Sequence, residues 1–273
     1  MPPGLLWIAL LCGAAVGAMP SAASARPAAT AAHADPTIVL VHGAFLDASS
    51  WGEVGNALVL RGRRVIAVDL RSGEPRAASE RTLADYRQAV LASIASESSP
   101  VALVGHSFGG MTIAAVAEAA PDRVERLVFI GAYIPSNGDS LQRLAAADRD
   151  SRTAEGFVVD PRLGIASIDR GARTALFCSD CPPSVGQAAA ASMLAEPLPP
   201  LLEPVVLSAP YAGVEKRQIR TTLDPVISPR QQRWMADRAN VGRRVLLRAG
   251  HSPFLSRPEA TAALIDHLTR QEP

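Results

Sequence analysis

The sequence has no excess of charge of either sign. Its 273 residues include 27 Lys plus Arg and 26 Asp plus Glu, so the formal net charge at pH 7 is +1. Such a balance gives no electrostatic reason to propose nucleic acid or an anionic membrane surface as a partner. Hydrophobic residues make up 48% of the chain and charged residues only 19%, which favours a sizeable core and argues against global disorder.

Cysteine is scarce. Cys12 lies in an N-terminal apolar run, and Cys178 and Cys181 lie in the segment FCSDCPPS. No second C-x-x-C and no Cys/His pair with ligand spacing is present, so a tetrahedral zinc site is not expected. The pair precedes Pro182 and does not open the helix of a βαβ unit, which disfavours redox chemistry. A local disulfide, typical of oxidising compartments, and a pair of inert thiols remain as alternatives.

The N-terminal apolar run is short for a membrane helix. It extends from Leu5 to Ala18, about half the length that a spanning helix needs. It resembles the apolar region of a signal peptide, and Ala23-Ser24-Ala25 matches an A-x-A cleavage site. We predict a signal peptide over residues 1–25, a flexible lead-in over 26–36, and a secreted or periplasmic protein without a stable membrane span. Because no Lys or Arg precedes the run, an uncleaved anchor and a mis-assigned start codon are the alternatives.

Strand-like and helix-like segments alternate along most of the chain. Short apolar runs, among them TIVLVHG from Thr37 and PVALVGHS from Pro100, are typical of buried parallel strands. Each is followed by a segment with helical spacing, one of which Thr82 is expected to cap. The alternation predicts an α/β fold with a mostly parallel, six-stranded sheet flanked by helices, built from residues 37–136 and 213–271.

This alternation breaks between residues 137 and 212. The segments DSLQRLAAADRD and SVGQAAAASMLAE have helical spacing, PLPPLLEP is a proline-rich connector, and no clear long strand is present. Because loops of this length are usually functional, we predict a helical lid over the sheet edge. The alternative is a surface insertion without function.

A possible nucleophile lies in the segment GHSFG, residues 105–109. The segment fits G-x-S-x-G between a predicted strand and a predicted helix, the context of a nucleophile elbow. The glycines permit a turn in which Cβ atoms would clash, and Ser107 then projects above the sheet at a helix N-terminus. We predict Ser107 as a nucleophile, with a plain glycine-rich turn as the alternative.

A serine hydroxyl requires a base to take its proton. His251 follows the last predicted strand, at the edge where catalytic groups of open parallel sheets gather. Asp224 ends the preceding strand and lies between Ser107 and His251, which gives the chain order Ser, Asp, His. Asp180 in the insertion is the rival candidate for the carboxylate that orients the base.

Two backbone N–H groups are expected to stabilise the oxyanion. Phe108 follows the nucleophile, and Ala44 lies in the loop after the first strand, where Gly43 lets the backbone turn. His42 is expected to brace this loop.

Apolar residues near the expected site are candidates for a substrate pocket. They are Phe45, Leu141, Leu144 and Phe177. The residues in the insertion serve equally well as the core of the lid.

Five segments together carry a resemblance to a known family: VLVHGAFLDASSW, VALVGHSFGGMTI, LVFIGAYIP, TTLDPVISPRQQRWMA and GHSPFLSRPE. Over about 230 residues the chain resembles α/β-hydrolase fold serine esterases. The nearest subgroup contains the plant methyl-salicylate esterases, the hydroxynitrile lyases and bacterial relatives. The resemblance implies that Ser107 is the nucleophile, Asp224 the acid and His251 the base, with Ala44 and Phe108 as oxyanion donors.

Within that subgroup, two positions favour ester hydrolysis over cyanohydrin cleavage. The lyases carry a polar residue after the histidine of the first-strand loop, and some carry lysine after the catalytic histidine. This chain has Gly43 and Ser252 there. We expect a serine hydrolase that cleaves a small, largely apolar carboxylic ester through an acyl-enzyme, without metal or organic cofactor. A cofactor-free perhydrolase and a hydrolase-fold ligand-binding receptor with slow turnover are the alternatives.

Overall fold

The structure of the chain is a computed structural model that describes residues 35–72 and 77–271. The predicted signal peptide, and all but the last two residues of the predicted lead-in, lie outside the described residues. None of the helices in the described ranges combines the length and the apolar character needed to cross a bilayer.

A six-stranded sheet forms the centre of the fold. Along the chain, the described strands are β1 (Ile38–Val41), β2 (Val65–Val68), β3 (Val101–His106), β4 (Val124–Ile130), β5 (Phe157–Asp160), β6 (Ile165–Ile168), β7 (Glu196–Pro197), β8 (Glu215–Thr221) and β9 (Arg243–Leu247). The central sheet has the order β2-β1-β3-β4-β8-β9, and its neighbouring strands pair in parallel. The predicted six-stranded α/β sheet is confirmed.

Helices cover both faces of this sheet. The described α-helices are α1 (Gly52–Leu60), α2 (Leu83–Ser93), α3 (Gly109–Ala119), α4 (Leu141–Ala147), α5 (Arg173–Phe177), α6 (Pro183–Ser192), α7 (Pro199–Leu202), α8 (Ala209–Gly213), α9 (Pro229–Arg238), α10 (Pro253–Ser256) and α11 (Pro258–Thr269). Thr82 caps α2 in a reciprocal capping box with Asp85, as its position in the sequence predicts.

Successive side chains of β1 enter different cores. Ile38 and Leu40 pack with residues of α1 and α11, whereas Val39 and Val41 pack with residues of α2 and α3. Because each face of the sheet is covered by helices, the strand reads as an unbroken apolar run and not as an alternating one.

The strand order places a crevice at the carboxyl ends of β1 and β3. The chain runs outward from β1 to β2 and then returns across β1 to β3, so the connections leave these two strands in opposite directions. Ligands of open α/β sheets bind at such switch points. The loop after β1 carries Ala44 and the turn after β3 carries Ser107, so both residues reach this crevice.

The insertion between β4 and β8 differs from the all-helical prediction. It contains the predicted helices α4 and α6, but it also contains an antiparallel sheet of order β5-β6-β7. Residues 161–164 connect β5 to β6, and Gly164 has a φ of +63° in that turn. Strands of four, four and two residues are too short to show a clear period. The boundaries of the lid stay a prediction.

The paired cysteines lie in this insertion. Cys178 and Cys181 form a disulfide with a Cα–Cα distance of 5.1 Å, so the disulfide alternative holds and the free-thiol alternative does not. In the described ranges, no group of three or more His, Cys, Asp or Glu side chains is arranged to hold a metal ion.

Candidate active site

Ser107 lies in the tight turn that joins β3 to α3. Its φ is +51°, a left-handed conformation that costs a non-glycine residue on the order of 1 kcal/mol or more. A Cβ on Gly109 would lie only 2.6 Å from the carbonyl oxygen of Val41, so glycine allows α3 to begin close against β1. The Ser107 carbonyl accepts from the Tyr133 N–H at 3.1 Å, which helps to hold the strained turn.

Three predicted residues meet in one chain of hydrogen bonds. Ser107 Oγ lies 3.1 Å from His251 Nε2, and His251 Nδ1 lies 3.1 and 3.0 Å from the two carboxylate oxygens of Asp224. All three side chains are buried. Because an ionised carboxylate only accepts, Nδ1 carries the proton and Nε2 is free to accept one from the serine. This is the arrangement that a Ser-His-Asp triad requires.

The Asp224 carboxylate is fixed by four further donors. Oδ1 accepts from the backbone N–H groups of Val226 and Ile227 at 2.9 and 3.0 Å. Oδ2 accepts from the Thr221 hydroxyl at 2.9 Å and from the Gln232 amide at 3.2 Å. With both oxygens held, the carboxylate has one orientation in which to receive the imidazole N–H.

Asp180, the rival carboxylate, occupies a different place. It packs near Gly250, the residue before His251, but its oxygens make no hydrogen bond to any described residue. Its nearest cationic group is the Arg257 guanidinium, 3.9 Å away. The geometry therefore favours Asp224 as the partner of the imidazole.

Both predicted oxyanion donors lie beside Ser107. Ala44 lines the same cavity as Ser107, and Phe108 is the next residue along the chain. Neither amide nitrogen donates to another residue of the described ranges, so both N–H groups are without an acceptor there. A Cβ on Gly43 would lie 2.7 Å from Ser107 Cβ, so glycine is what lets the first loop approach the nucleophile.

His42 holds the first loop, as expected from its position. Its Nδ1–H donates to the Gly43 carbonyl at 2.8 Å, and its Nε2 accepts from the Leu70 N–H at 3.1 Å. Both ring nitrogens are therefore engaged in hydrogen bonds that hold the loop. Neither of these two bonds is to Ser107 Oγ.

His106 packs against His251 and hydrogen-bonds to its backbone. Its Nε2–H donates to the His251 carbonyl at 2.8 Å, and the two rings lie 4.7 Å apart between centroids. Burial lowers the pKa of His106 well below its usual range, and His251 lowers it further. A neutral His106 would place no competing positive charge beside His251 if His251 took up the serine proton.

An apolar cavity of about 420 Å³ opens over Ser107. Three of the four predicted pocket residues, Phe45, Leu141 and Phe177, line it. The Phe177 ring also meets the His251 ring edge-on at 5.1 Å.

Leu144 does not line this cavity, contrary to the prediction. It is 1% exposed and packs into the core beneath the lid, and its carbonyl accepts from the Gln231 amide at 3.0 Å. Leu141 and Leu144 lie on one short helix, and only the packing of that helix against its neighbours decides which of them faces the cavity.

Sequence reasoning missed several residues of the site. The hairpin residues Phe157 and Val159 line the cavity, as does Tyr133. Burial raises the pKa of Tyr133, and the carboxylates of Asp148 and Asp224 raise it further, so its hydroxyl stays neutral. The segment LVFIGAYIP carried the signal for Tyr133, since that residue lies three positions after the end of the central strand β4.

The sheet order, the strained serine turn and the hydrogen-bonded Ser, His and Asp define an α/β hydrolase. Residues 38–264 match the alpha/beta hydrolase family, and the chain belongs to it. The predicted resemblance to esterases of this fold is confirmed.

Two curated relatives and one solved structure illustrate the similarity. The chain is 30% identical to "Putative methylesterase 11, chloroplastic" of Arabidopsis thaliana, over 86% of this chain and 64% of the relative. It is 37% identical to polyneuridine aldehyde esterase of Rauvolfia serpentina, over 38% of this chain and 41% of the relative. The match thus spans less than two thirds of either relative. A pyrethroid hydrolase from Sphingobium faniae JZ-2 shares the fold, with a TM-score of 0.74, 23% identity, and coverage of 86% of this chain and 97% of that chain.

Proposed function

We propose that this protein is a serine hydrolase that cleaves a small, largely apolar carboxylic ester. The observation that carries the proposal is the hydrogen-bond chain from Ser107 through His251 to Asp224 at the wall of an apolar cavity. Membership of the alpha/beta hydrolase family, and the esterase names of the curated relatives, support the same activity.

In the proposed first step, Ser107 Oγ attacks the ester carbonyl carbon while His251 Nε2 takes the hydroxyl proton. The carbonyl oxygen becomes an oxyanion that accepts from the Ala44 and Phe108 N–H groups. The C–O bond to the leaving alcohol breaks, and His251 returns the proton to that oxygen. Asp224 stays ionised and stabilises the imidazolium.

The second half of the reaction uses the same groups. Water gives a proton to His251 and attacks the acyl carbon, which restores the oxyanion. The bond to Ser107 Oγ then breaks, the carboxylic acid leaves, and the serine regains its proton from His251. The cycle consumes one ester and one water molecule and returns Ser107 and His251 to their starting protonation states.

The cavity supports the proposed substrate class. Its volume of about 420 Å³ is in the range of small-molecule sites. Its walls are mainly aliphatic and aromatic, so an uncharged ester enters at a lower desolvation cost than a charged one. Ser252 follows His251, and a neutral residue there favours hydrolysis over the release of cyanide.

Turnover of p-nitrophenyl esters from acetate to octanoate tests the proposal. Wild type should release p-nitrophenolate, and Ser107→Ala should lose this activity while its circular dichroism spectrum stays unchanged. Ser192→Ala is the matched control, because Ser192 is exposed and its hydroxyl bonds, within the described ranges, only to the Ala189 carbonyl. Absence of turnover in wild type, or equal turnover in Ser107→Ala, contradicts the proposal.

We also propose that the protein is exported, to the periplasm or beyond. The apolar run with its A-x-A site supports export. The disulfide between Cys178 and Cys181 adds support, since disulfides persist mainly in oxidising compartments. Cell fractionation and intact mass should show an exported protein cleaved after Ala25. Recovery of the uncleaved chain from the cytoplasm contradicts export.

A further inference from the structure

One short segment of the lid, residues 194–196, is hydrogen-bonded to the loop that follows β1. The Leu194 N–H donates to the Phe45 carbonyl at 2.9 Å. The Phe45 N–H in turn donates to Glu196 Oε2 at 3.0 Å. Both backbone polar groups of Phe45 are therefore bonded to the lid.

Arg71 adds a second bridge between the same two segments. Its guanidinium donates to the Leu46 carbonyl in the loop and, at 3.1 Å, to the Ala195 carbonyl in the lid. The lid and the loop are thus joined on both sides of Phe45.

Phe45 needs such support because of its backbone conformation. Its φ is +68°, in the left-handed region that residues with a side chain rarely adopt. A strained conformation of this kind persists only when its surroundings hold it. The residue before it is Ala44, the proposed oxyanion donor, so relaxation of Phe45 would turn the Ala44–Phe45 peptide and, through it, shift Ala44 and the N–H that Ala44 presents.

Glu196 is the central group of this contact. It is 2% exposed, and its Oε1 accepts from the Tyr86 hydroxyl at 2.6 Å. The Tyr86 ring meets the Phe108 ring edge-on at 5.9 Å between centroids. Through Phe45 and Tyr86, the carboxylate therefore contacts the immediate neighbours of both proposed oxyanion donors, Ala44 and Phe108.

Burial of this carboxylate carries a cost. Burial raises the pKa of Glu196, and the hydrogen bonds from Tyr86 and Phe45 oppose that rise only in part. An apolar side chain at this place would avoid the cost but would leave the Phe45 N–H without its acceptor.

We propose that Glu196 is a positioning residue for ester hydrolysis: it holds Phe45 in its left-handed conformation and so directs the Ala44 N–H at the oxyanion. The inference rests on the proposed function. Glu196 acts through Phe45 and does not touch the substrate. Because the oxyanion exists only in the transition state, loss of Glu196 should lower kcat and leave KM nearly unchanged.

Glu196→Ala and Glu196→Gln separate positioning from packing. Glu196→Ala should lower kcat about 10- to 100-fold with KM within about threefold of wild type, because a displaced donor costs part of what a deleted donor costs. Glu196→Gln keeps an oxygen that accepts from Phe45, so its kcat should stay within about threefold of wild type.

Glu203→Ala is the matched control. Glu203 also lies in the lid and also accepts from a backbone N–H, that of Leu83 at 3.0 Å. That contact leads to α2 and not to the loop with Ala44, so this variant should keep the wild-type kcat.

A p-nitrophenyl alkylphosphonate gives a readout that is independent of the ester. Ser107 Oγ forms a bond to phosphorus, the bond to p-nitrophenolate breaks, and the serine proton passes to His251. The rate of p-nitrophenolate release should fall in Glu196→Ala by about the factor seen in kcat. If wild type reacts with the phosphonate but hydrolyses no ester, the proposed ester substrate is wrong. The phosphonate rates of wild type and Glu196→Ala then test the positioning role of Glu196 on their own.

Melting temperatures establish that each variant is folded. If Glu196→Ala does not fold, Arg71→Ala removes the second bridge between the lid and the loop. This variant should lower kcat with little change in KM. The inference is wrong if folded Glu196→Ala keeps the wild-type kcat, or if Glu196→Gln falls as far as Glu196→Ala. It is equally wrong if KM rises by the factor by which kcat falls, or if Arg71→Ala, used in its place, keeps the wild-type kcat.

Discussion

Replacing Asp224 with asparagine should disable His251 with little movement of its ring. Asp224 Oδ1 accepts from the N–H groups of Val226 and Ile227, which are fixed in the backbone. The asparagine oxygen must take that place, so its NH2 group takes the place of Oδ2, 3.0 Å from His251 Nδ1. The asparagine oxygen also lies 3.1 Å from Nδ1, but it already accepts from two backbone N–H groups, so the NH2 donor favours the tautomer with a bare Nδ1 and a protonated Nε2.

The size of the effect follows from the tautomer. A protonated Nε2 cannot take the proton of Ser107, and the amide no longer neutralises the imidazolium. The same exchange in a well-studied Ser-His-Asp protease lowers kcat about 10⁴-fold, which corresponds to about 5.5 kcal/mol. The new NH2 group also faces the NH2 of Gln232, but the hydrogens of that amide keep the Ile227 carbonyl and the Thr221 hydroxyl as acceptors at 2.7 and 2.9 Å, so the loss of folding stability should be small.

Steady-state kinetics with the preferred p-nitrophenyl ester measure the outcome. Asp224→Asn should lower kcat by about four orders of magnitude and leave KM close to wild type. Asp180→Asn is the control, because Asp180 is the other carboxylate near this loop and does not bond to His251. The reasoning is refuted if Asp224→Asn loses less than about tenfold in kcat, or if Asp180→Asn loses more than Asp224→Asn.

Three more outcomes are expected. Leu144→Ala should lower the free energy of unfolding in urea by about 2–5 kcal/mol and leave the preferred acyl-chain length of the ester unchanged. Leu141→Ala should shift the preferred acyl chain toward longer esters. The reverse pattern would place Leu144 in the pocket. Burial raises the pKa of Glu196 above its ordinary 4.5, so the stability from this group is greatest below that pH and falls as pH rises toward the folded pKa. Glu196→Gln should therefore gain thermal stability relative to wild type as pH rises from about 4.5 to about 7, and a constant difference would contradict this. Replacing Cys178 and Cys181 with serine should cost about 2 kcal/mol by the chain-entropy argument, and dithiothreitol should lower the melting temperature of wild type only.

The central sheet and the serine turn were predictable because their signals are local. Unbroken apolar runs mark strands covered on both faces, and the Thr82 capping box marks the start of α2 within four residues. The glycines around Ser107 follow from steric exclusion at one tight turn. Each of these features depends on neighbours in the chain, so one sequence is sufficient to find them.

The choice of Asp224 over Asp180 rested on chain order, but the structure reveals a local signal. The Asp224 carboxylate accepts from the N–H groups two and three residues ahead, after Pro225. An aspartate that folds back on its own backbone at the end of a strand is preorganised to hold an imidazole. Asp180 has no such turn in the described ranges.

The lid was predictable only in outline, because its contacts join distant parts of the chain. Glu196 stands 151 positions from the amide it accepts, and nothing in its neighbours distinguishes it from a surface glutamate before a proline. The same holds for Leu144, which differs from Leu141 only in the packing of one short helix. The pairing of β5, β6 and β7 likewise needs tertiary contacts to stabilise strands of four residues or fewer.

The core and the lid contribute different groups to the site, and Glu196 of the lid bonds to Phe45 of the core. Strand ends of the core carry the proposed reacting groups, whereas the lid supplies walls such as Leu198 and Leu201. The segment that bonds to Phe45 ends at Pro197, directly before Leu198, so under the proposed role of Glu196 a change in the wall should reach the loop that carries Ala44. A substrate that fits the wall poorly should then have a lower kcat as well as a higher KM, because the proposal gives one lid segment a part both in the wall and in the position of the oxyanion donor.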